Sequence, residues 1–289
     1  MRKPVRFMGM GMGMMIKVIT MITITTITIS TSMGMRITIT AIAIPCRAGP
    51  RMTSSDLEGD EGLALLRLLA WMSPSFPTGA FSYSHGLEMA VEDGSVRDAA
   101  TLRAYVTSVL DHGAGHVDAA FLALALQVWA AEDVAALLAV AERAAAMRGS
   151  AELALESTAQ GQAFLTTARA AWPHRAIDAG ARALAAAALP VAHPIAVAIV
   201  GAAWRIAPTA LLPAFLHALA ANLVSAGVRL VPLGQTDGQR CLAALEQTIR
   251  AAATRASAIE RAEDILGAAP AIDLLSIRHE TQYTRLFRS

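Results

Sequence analysis

Lysine is nearly missing. Lys3 and Lys17 are the only two in 289 residues. A phosphate loop needs Gly-Lys-Ser/Thr and Schiff-base chemistry needs a lysine amine, so the main body of the chain excludes both. Cysteine is as scarce: Cys46 and Cys241 offer no disulfide framework, which suits the cytoplasm. Charged residues make up only 16% against 55% apolar, which allows a sizeable buried core in one large domain or two small ones. Acid is wholly absent from residues 1–51, which hold seven of the 24 basic residues. The remaining 17 basic residues face all 23 acids, so no basic patch of the nucleic-acid type is left. Around Ser82 and Ser84 the Gly-x-Ser-x-Gly of a nucleophile elbow is missing.

Residues 1–51 are a low-complexity stretch of Met, Gly, Ile and Thr. Alternating Ile and Thr can be read as strand. Arg2, Lys3 and Arg6 before a moderately apolar run can be read as a signal peptide. A membrane span is disfavoured because Thr interrupts the run throughout. We prefer a fourth reading, that the stretch is translated out of frame. One base back, ATG, ATC and ACC codons yield mainly His. On that reading the natural start is Met52, and the extension is disordered or spurious.

From residue 52 to 289 the expectation is a single all-α domain, a bundle of about ten helices. The helical segments run from Leu63 to Met72, Ser82 to Glu92, Asp98 to His112, Val117 to Ala130 and Glu132 to Met147. They continue from Ser150 to Trp172, Arg175 to Ala188, Pro194 to Ala207, Thr209 to Ala226, Thr236 to Ser257 and Ile259 to Leu266. No period-two strand and no solenoid repeat follows residue 50.

Little in this body reads as catalysis. His112 and His116 stand at i and i+4, but Gly113 and Gly115 weaken a helix there, so a metal site is disfavoured. His85 reads as a surface or loop residue, His217 as a core histidine, and Cys241 as a small hydrophobe. Gly227 to Gln235 has no Lys and a central Pro, so it is a rigid connection, with Arg229 presented for a charge-assisted contact. The chain is therefore expected to act by binding and not as an enzyme.

Two stretches stand out. In Pro74–Glu88, two prolines and the Pro77-Thr78-Gly79 turn stiffen a loop that carries Phe76, Phe81 and Tyr83. Ser82 or Ser84 can cap a following helix, with Glu88 in its first turn. At the other end, a helix from Ile277 to Arg288 would align His279, Tyr283 and Phe287 as an aromatic stripe. Aromatic and Arg residues together are typical interface anchors.

Pro77-Thr-Gly-Ala-Phe-Ser-Tyr-Ser-His-Gly-Leu-Glu88 resembles the N-terminal signature of the UreF family of urease accessory proteins. Trp204–Ala207 with Ala226–Gln235 resembles the family's central region, and Arg278–Ser289 its C-terminal tail. The resemblance implies a cytoplasmic, all-helical homodimer. Its partners would be a second accessory protein, UreD or UreH, the UreG GTPase and apo-urease, with no nucleic acid and no membrane. No cofactor would be held stably; nickel and GTP would be handled by the complex. The chain would be the adaptor or, alternatively, a regulator of the GTPase. Partner-binding residues are expected at Pro77, Gly79, Phe81, Ser82, Tyr83, Ser84, Gly86 and Glu88, and at Arg229 and Gln235. The tail, residues 276–289, adds Arg278, His279, Glu280, Thr281, Gln282, Tyr283, Arg285, Leu286, Phe287 and Arg288. It is expected to be mobile until a partner orders it.

Overall fold

The computed structural model describes residues 60–289 and two strands nearer the N-terminus. The chain forms two compact units, Met1–Leu57 and Glu58–Ser289. In the first, β1 (Thr23–Ser30) and β2 (Arg36–Ala43) pair antiparallel, with Ile27 opposite Ile39, Thr28 opposite Thr38 and Ile29 opposite Ile37. The backbone there is extended, as one of the readings of alternating Ile and Thr has it. The rest of the N-terminal extension, and most of the expectation that it is disordered, falls outside the described residues.

The second unit is all-α, with twelve α-helices among the described residues. They are α1 (Asp60–Trp71), α2 (Leu87–Glu92), α3 (Ala99–Asp111), α4 (Ala114–Ala130), α5 (Val134–Ala146) and α6 (Ala151–Ala171). There follow α7 (Arg175–Ala186), α8 (His193–Ala203), α9 (Pro208–Leu230), α10 (Gln235–Ala244), α11 (Glu246–Ser257) and α12 (Pro270–His279).

Helix α8 is apolar on every side, so it has no face to give to water. Pro194 through Gly201 is buried without interruption, and α4, α6 and α7 pack around it. Helix α6 passes close because Gly161 has no side chain: a Cβ there would meet the Val191 carbonyl oxygen at 2.1 Å. Helix α9 is a second spine, packed by α3, α10 and α11. By length and composition it could cross a membrane, and half of its most apolar window is buried inside the bundle.

Helix boundaries follow local chemistry. Asp98 and Thr101 form a reciprocal capping box on α3, and Asp133 and Ser150 each accept the third N–H of α5 and α6. Helices α4, α7 and α8 end on a residue with left-handed backbone: Glu132, Ala188 and Arg205. In each case the next N–H reaches back to the carbonyl five residues earlier, as in a Schellman motif without its glycine. Arg205 therefore stops α8 at Ala203, short of the expected Ala207.

Other boundaries also differ from expectation. The second helix begins at Leu87 and not Ser82, because His85 (φ 57) and Gly86 (φ 76) are both left-handed and cannot continue a helix. The expected helix over Thr236–Ser257 breaks at Leu245, a fully buried residue that ends α10 and begins α11. Between Ile259 and Leu266 only a single 3-10 turn forms, Ala262–Asp264. The tail helix starts earlier, at Pro270, and stops at His279, so the stripe of His279, Tyr283 and Phe287 does not form.

Candidate functional site

The Pro74–Glu88 loop leaves α1 at Trp71 and is pinned first by Phe76. That ring packs 4.9 Å from Phe164 and 6.1 Å from Trp172, centroid to centroid. Gly79 (φ 74) turns the chain into a short 3-10 turn, Ala80–Ser82. The next residues alternate in fate. Phe81 stands 68% exposed, whereas Tyr83, Ser84 and His85 are buried. Tyr83 is therefore a core side chain and not the partner-facing one expected. Asn222 of α9 donates to the carbonyls of Ala80 and Tyr83, and Tyr105 of α3 donates to that of His85 at 2.6 Å. Gly86 is required twice over: its φ is positive, and a Cβ would sit 2.8 Å from the Ser276 amide nitrogen.

Directly after Gly86 comes the buried carboxylate of Glu88. It accepts the Leu286 N–H at 2.7 Å and the Phe287 N–H at 3.0 Å, and lies 3.1 Å from His279 Nε2. The other ring nitrogen, Nδ1 of His279, lies 2.7 Å from Glu152 of α6. Arg285 also pairs with Glu152, at 2.8 Å. The tail then runs alongside the loop: the Arg288 N–H donates to the Ser82 carbonyl and the Ser84 N–H to the Ser289 carbonyl. Phe287 is buried beneath Arg229, whose guanidinium sits 4.5 Å over the ring and donates to the Phe81 carbonyl. The expected mobile tail is thus docked on its own body in this structure.

More contacts tie the end of α12 down. Ser276 bonds Ser150, the cap of α6, at 2.6 Å, and the Glu280 carboxylate accepts the Ala151 N–H. Arg278 pairs with Asp93 at 3.1 Å, Gln282 bonds Glu92, and Thr281 bonds the Arg278 carbonyl. Loop, Arg229 and tail, three segments far apart in sequence, form one face. Gln235 does not join it; it opens α10 as an exposed residue. On the outer side of the face stand Phe81, Leu286 at 75% exposure and a fully exposed Tyr283, with Arg285 and Arg288 also exposed. Pro77 lies at the exposed start of the same loop.

Under the loop lies a cavity of about 510 Å³ whose lining includes Trp71, His85, Asp118, Arg148, Glu156 and His193. His85, expected at the surface or in a loop, lies in the loop but is buried, with Nδ1 3.0 Å from Glu156, close but off the line of a hydrogen bond. Burial works to lower its pKa, but the Glu156 charge and, further off, Asp118 hold it above the ordinary histidine value. His193, between Phe164 and Phe215, has no such partner, and burial pushes it down to about 4. Arg148 and Asp118 pair at 2.6 Å. His217, expected in the core, is exposed, because the buried stripe of α9 runs through Leu212, Phe215, Leu216, Ala220 and Leu223. Cys241 is buried, and burial raises its thiol pKa, as a small hydrophobe requires. His112 and His116 flank the break at Gly113, and no metal-binding group of three His, Cys, Asp or Glu occurs among the described residues.

Glu152 and Glu156 were missed in the sequence, yet a signal was present. With Gln160 they recur every fourth residue on α6, one face of polar groups behind the Ser150 cap. Glu156 accepts from Gln160 and from the Ser289 hydroxyl, so that face is the floor on which the tail sits.

The buried polar groups here bind one another, and the outer side of the same face leaves apolar side chains exposed on an all-helical body. A family model described as UreF matches residues 96–246, the stretch from just before α3 to the start of α11. A urease accessory protein UreF of Rhodopseudomonas palustris strain HaA2 is 53% identical over 240 residues, covering 83% of this chain and all of the relative. That of strain BisB5 is 52% identical over 244 residues, with 84% and 98% covered. One from Bradyrhizobium diazoefficiens is 46% identical over 239 residues, with 82% and 97% covered. The chain belongs to the UreF family of urease accessory proteins.

Proposed function

We propose that this chain is the adaptor of urease maturation. It engages a UreD- or UreH-type accessory protein through the face built by the loop and tail, and the pair recruits the UreG GTPase. The assembly delivers nickel to apo-urease as GTP is hydrolysed. The adaptor works in the cytoplasm as a homodimer and holds neither nickel nor nucleotide itself. The observation that supports this reading is the convergence of the loop and the tail, with Phe81, Tyr283 and Leu286 left outside a rigid lattice of hydrogen bonds. Exposed aromatic and apolar residues on an ordered base have the composition of interface hot spots.

Tyr283→Ala combined with Leu286→Ala tests it. Both side chains are exposed, so the fold should be unaffected, as read by far-UV circular dichroism. Affinity for the accessory protein should fall by about 1–3 kcal/mol per hot-spot residue. Unchanged affinity would move the interface elsewhere. GTP turnover by the GTPase, with and without this chain alone, separates an adaptor from a regulator: the adaptor leaves it unchanged.

A further inference from the structure

Three carboxylates lie under the tail: Glu88, Glu152 and Glu156, with side-chain exposures of 7%, 11% and 4%. Facing them are one permanent cation, Arg285, and two imidazoles, His279 and His85. With both imidazoles neutral, three shielded carboxylates share one positive charge. A neutral imidazole has a single N–H, yet both nitrogens of His279 face a carboxylate, at 2.7 and 3.1 Å. Only the imidazolium can donate to both.

Other charged groups nearby do not supply the missing charge. From α4, Asp118 is paired with Arg148 of the turn before α6. From α8, His193 is neutral above about pH 4. From α3, Tyr105 donates to the His85 carbonyl, and burial raises its hydroxyl pKa. On the surface side, Asp93 and Glu92 hold Arg278 and Gln282, and Glu280 caps α6.

We propose that the tail is a latch closed by a proton: the His279 imidazolium, facing Glu88 and Glu152 at once, holds the tail on the body, and its deprotonation releases it. The link to partner binding rests on the function proposed above, but the latch can be tested without any partner.

The test is hydrogen exchange on the full chain from about pH 6 to 8.5, the range in which histidines titrate, expressed as protection relative to intrinsic exchange. The Leu286 and Phe287 amides, which donate to Glu88, report closure. Their protection should fall about tenfold per pH unit for each linked proton, while amides of α8 hold theirs. In His279→Gln the pH dependence should vanish. Should that variant fail to fold, Glu152→Gln replaces it and should move the opening to lower pH. The proposal is overturned if tail protection is the same across the range, or if the variants keep the parent's profile.

Discussion

Glu88 holds the tail through two backbone N–H donors and one imidazole, and it does so while buried. Removing one partner from such a group leaves the others unsatisfied, so Glu88→Ala should cost about 3–5 kcal/mol in urea denaturation. Gly86→Ala should also weaken this corner, because the new methyl meets the Ser276 backbone in a left-handed conformation. His193 acts in the opposite pH direction to His85. Its folded pKa of about 4 lies below the unfolded value, so the unfolded chain binds more protons between about pH 4 and 6.5 and stability falls as the solution is acidified. His193→Phe should flatten that acid limb by up to about 1.4 kcal/mol per pH unit, read from denaturation midpoints across the range. Nothing in the residues around either histidine signals this contrast. His85 and His193 are each one imidazole among apolar or small neighbours, and only packing decides that Glu156 stands beside the first.

At the scale of elements, the bundle was legible because each helix start and stop is written in short-range chemistry. The expected helices opening at Asp98 and Ser150 are capped by those residues, whereas Asp133, and not the expected Glu132, precedes the third. Ser150→Ala removes both that cap and the bond to Ser276, and should cost about 1–2 kcal/mol in thermal or urea unfolding. What was misread depends on distant partners. The break falls at the fully buried Leu245, and the end of α12 comes at His279, where the side chain turns in to meet two carboxylates from α2 and α6. A period-four pattern in the tail could not reveal that. Helix α2 is only six residues long, and its first-turn carboxylate is satisfied by the tail. Deleting residues 283–289 should therefore lower hydrogen-exchange protection in α2 and the preceding loop, while α4 and α8 keep theirs.

Across the whole molecule, the family-like segments of the loop, Arg229 and the tail do meet in one place, while the direction of each side chain was beyond reach. Phe81 and Tyr83 differ by two positions and end on opposite sides, one wet and one buried, because the chain between them changes from a 3-10 turn to extended backbone. The three left-handed helix ends carry a different consequence. Glu132 and Ala188 occupy a conformation that disfavours any residue with a Cβ, by about 1–2 kcal/mol. Neither lies on the loop-and-tail face. Glycine at both sites should raise stability by roughly 2 kcal/mol in all, and Tm by about 4–8 °C for a body of this size. The bundle thus has room to be made more heat-tolerant by changes confined to its backbone hinges, giving a hardier background in which deleterious interface variants could still be purified and compared.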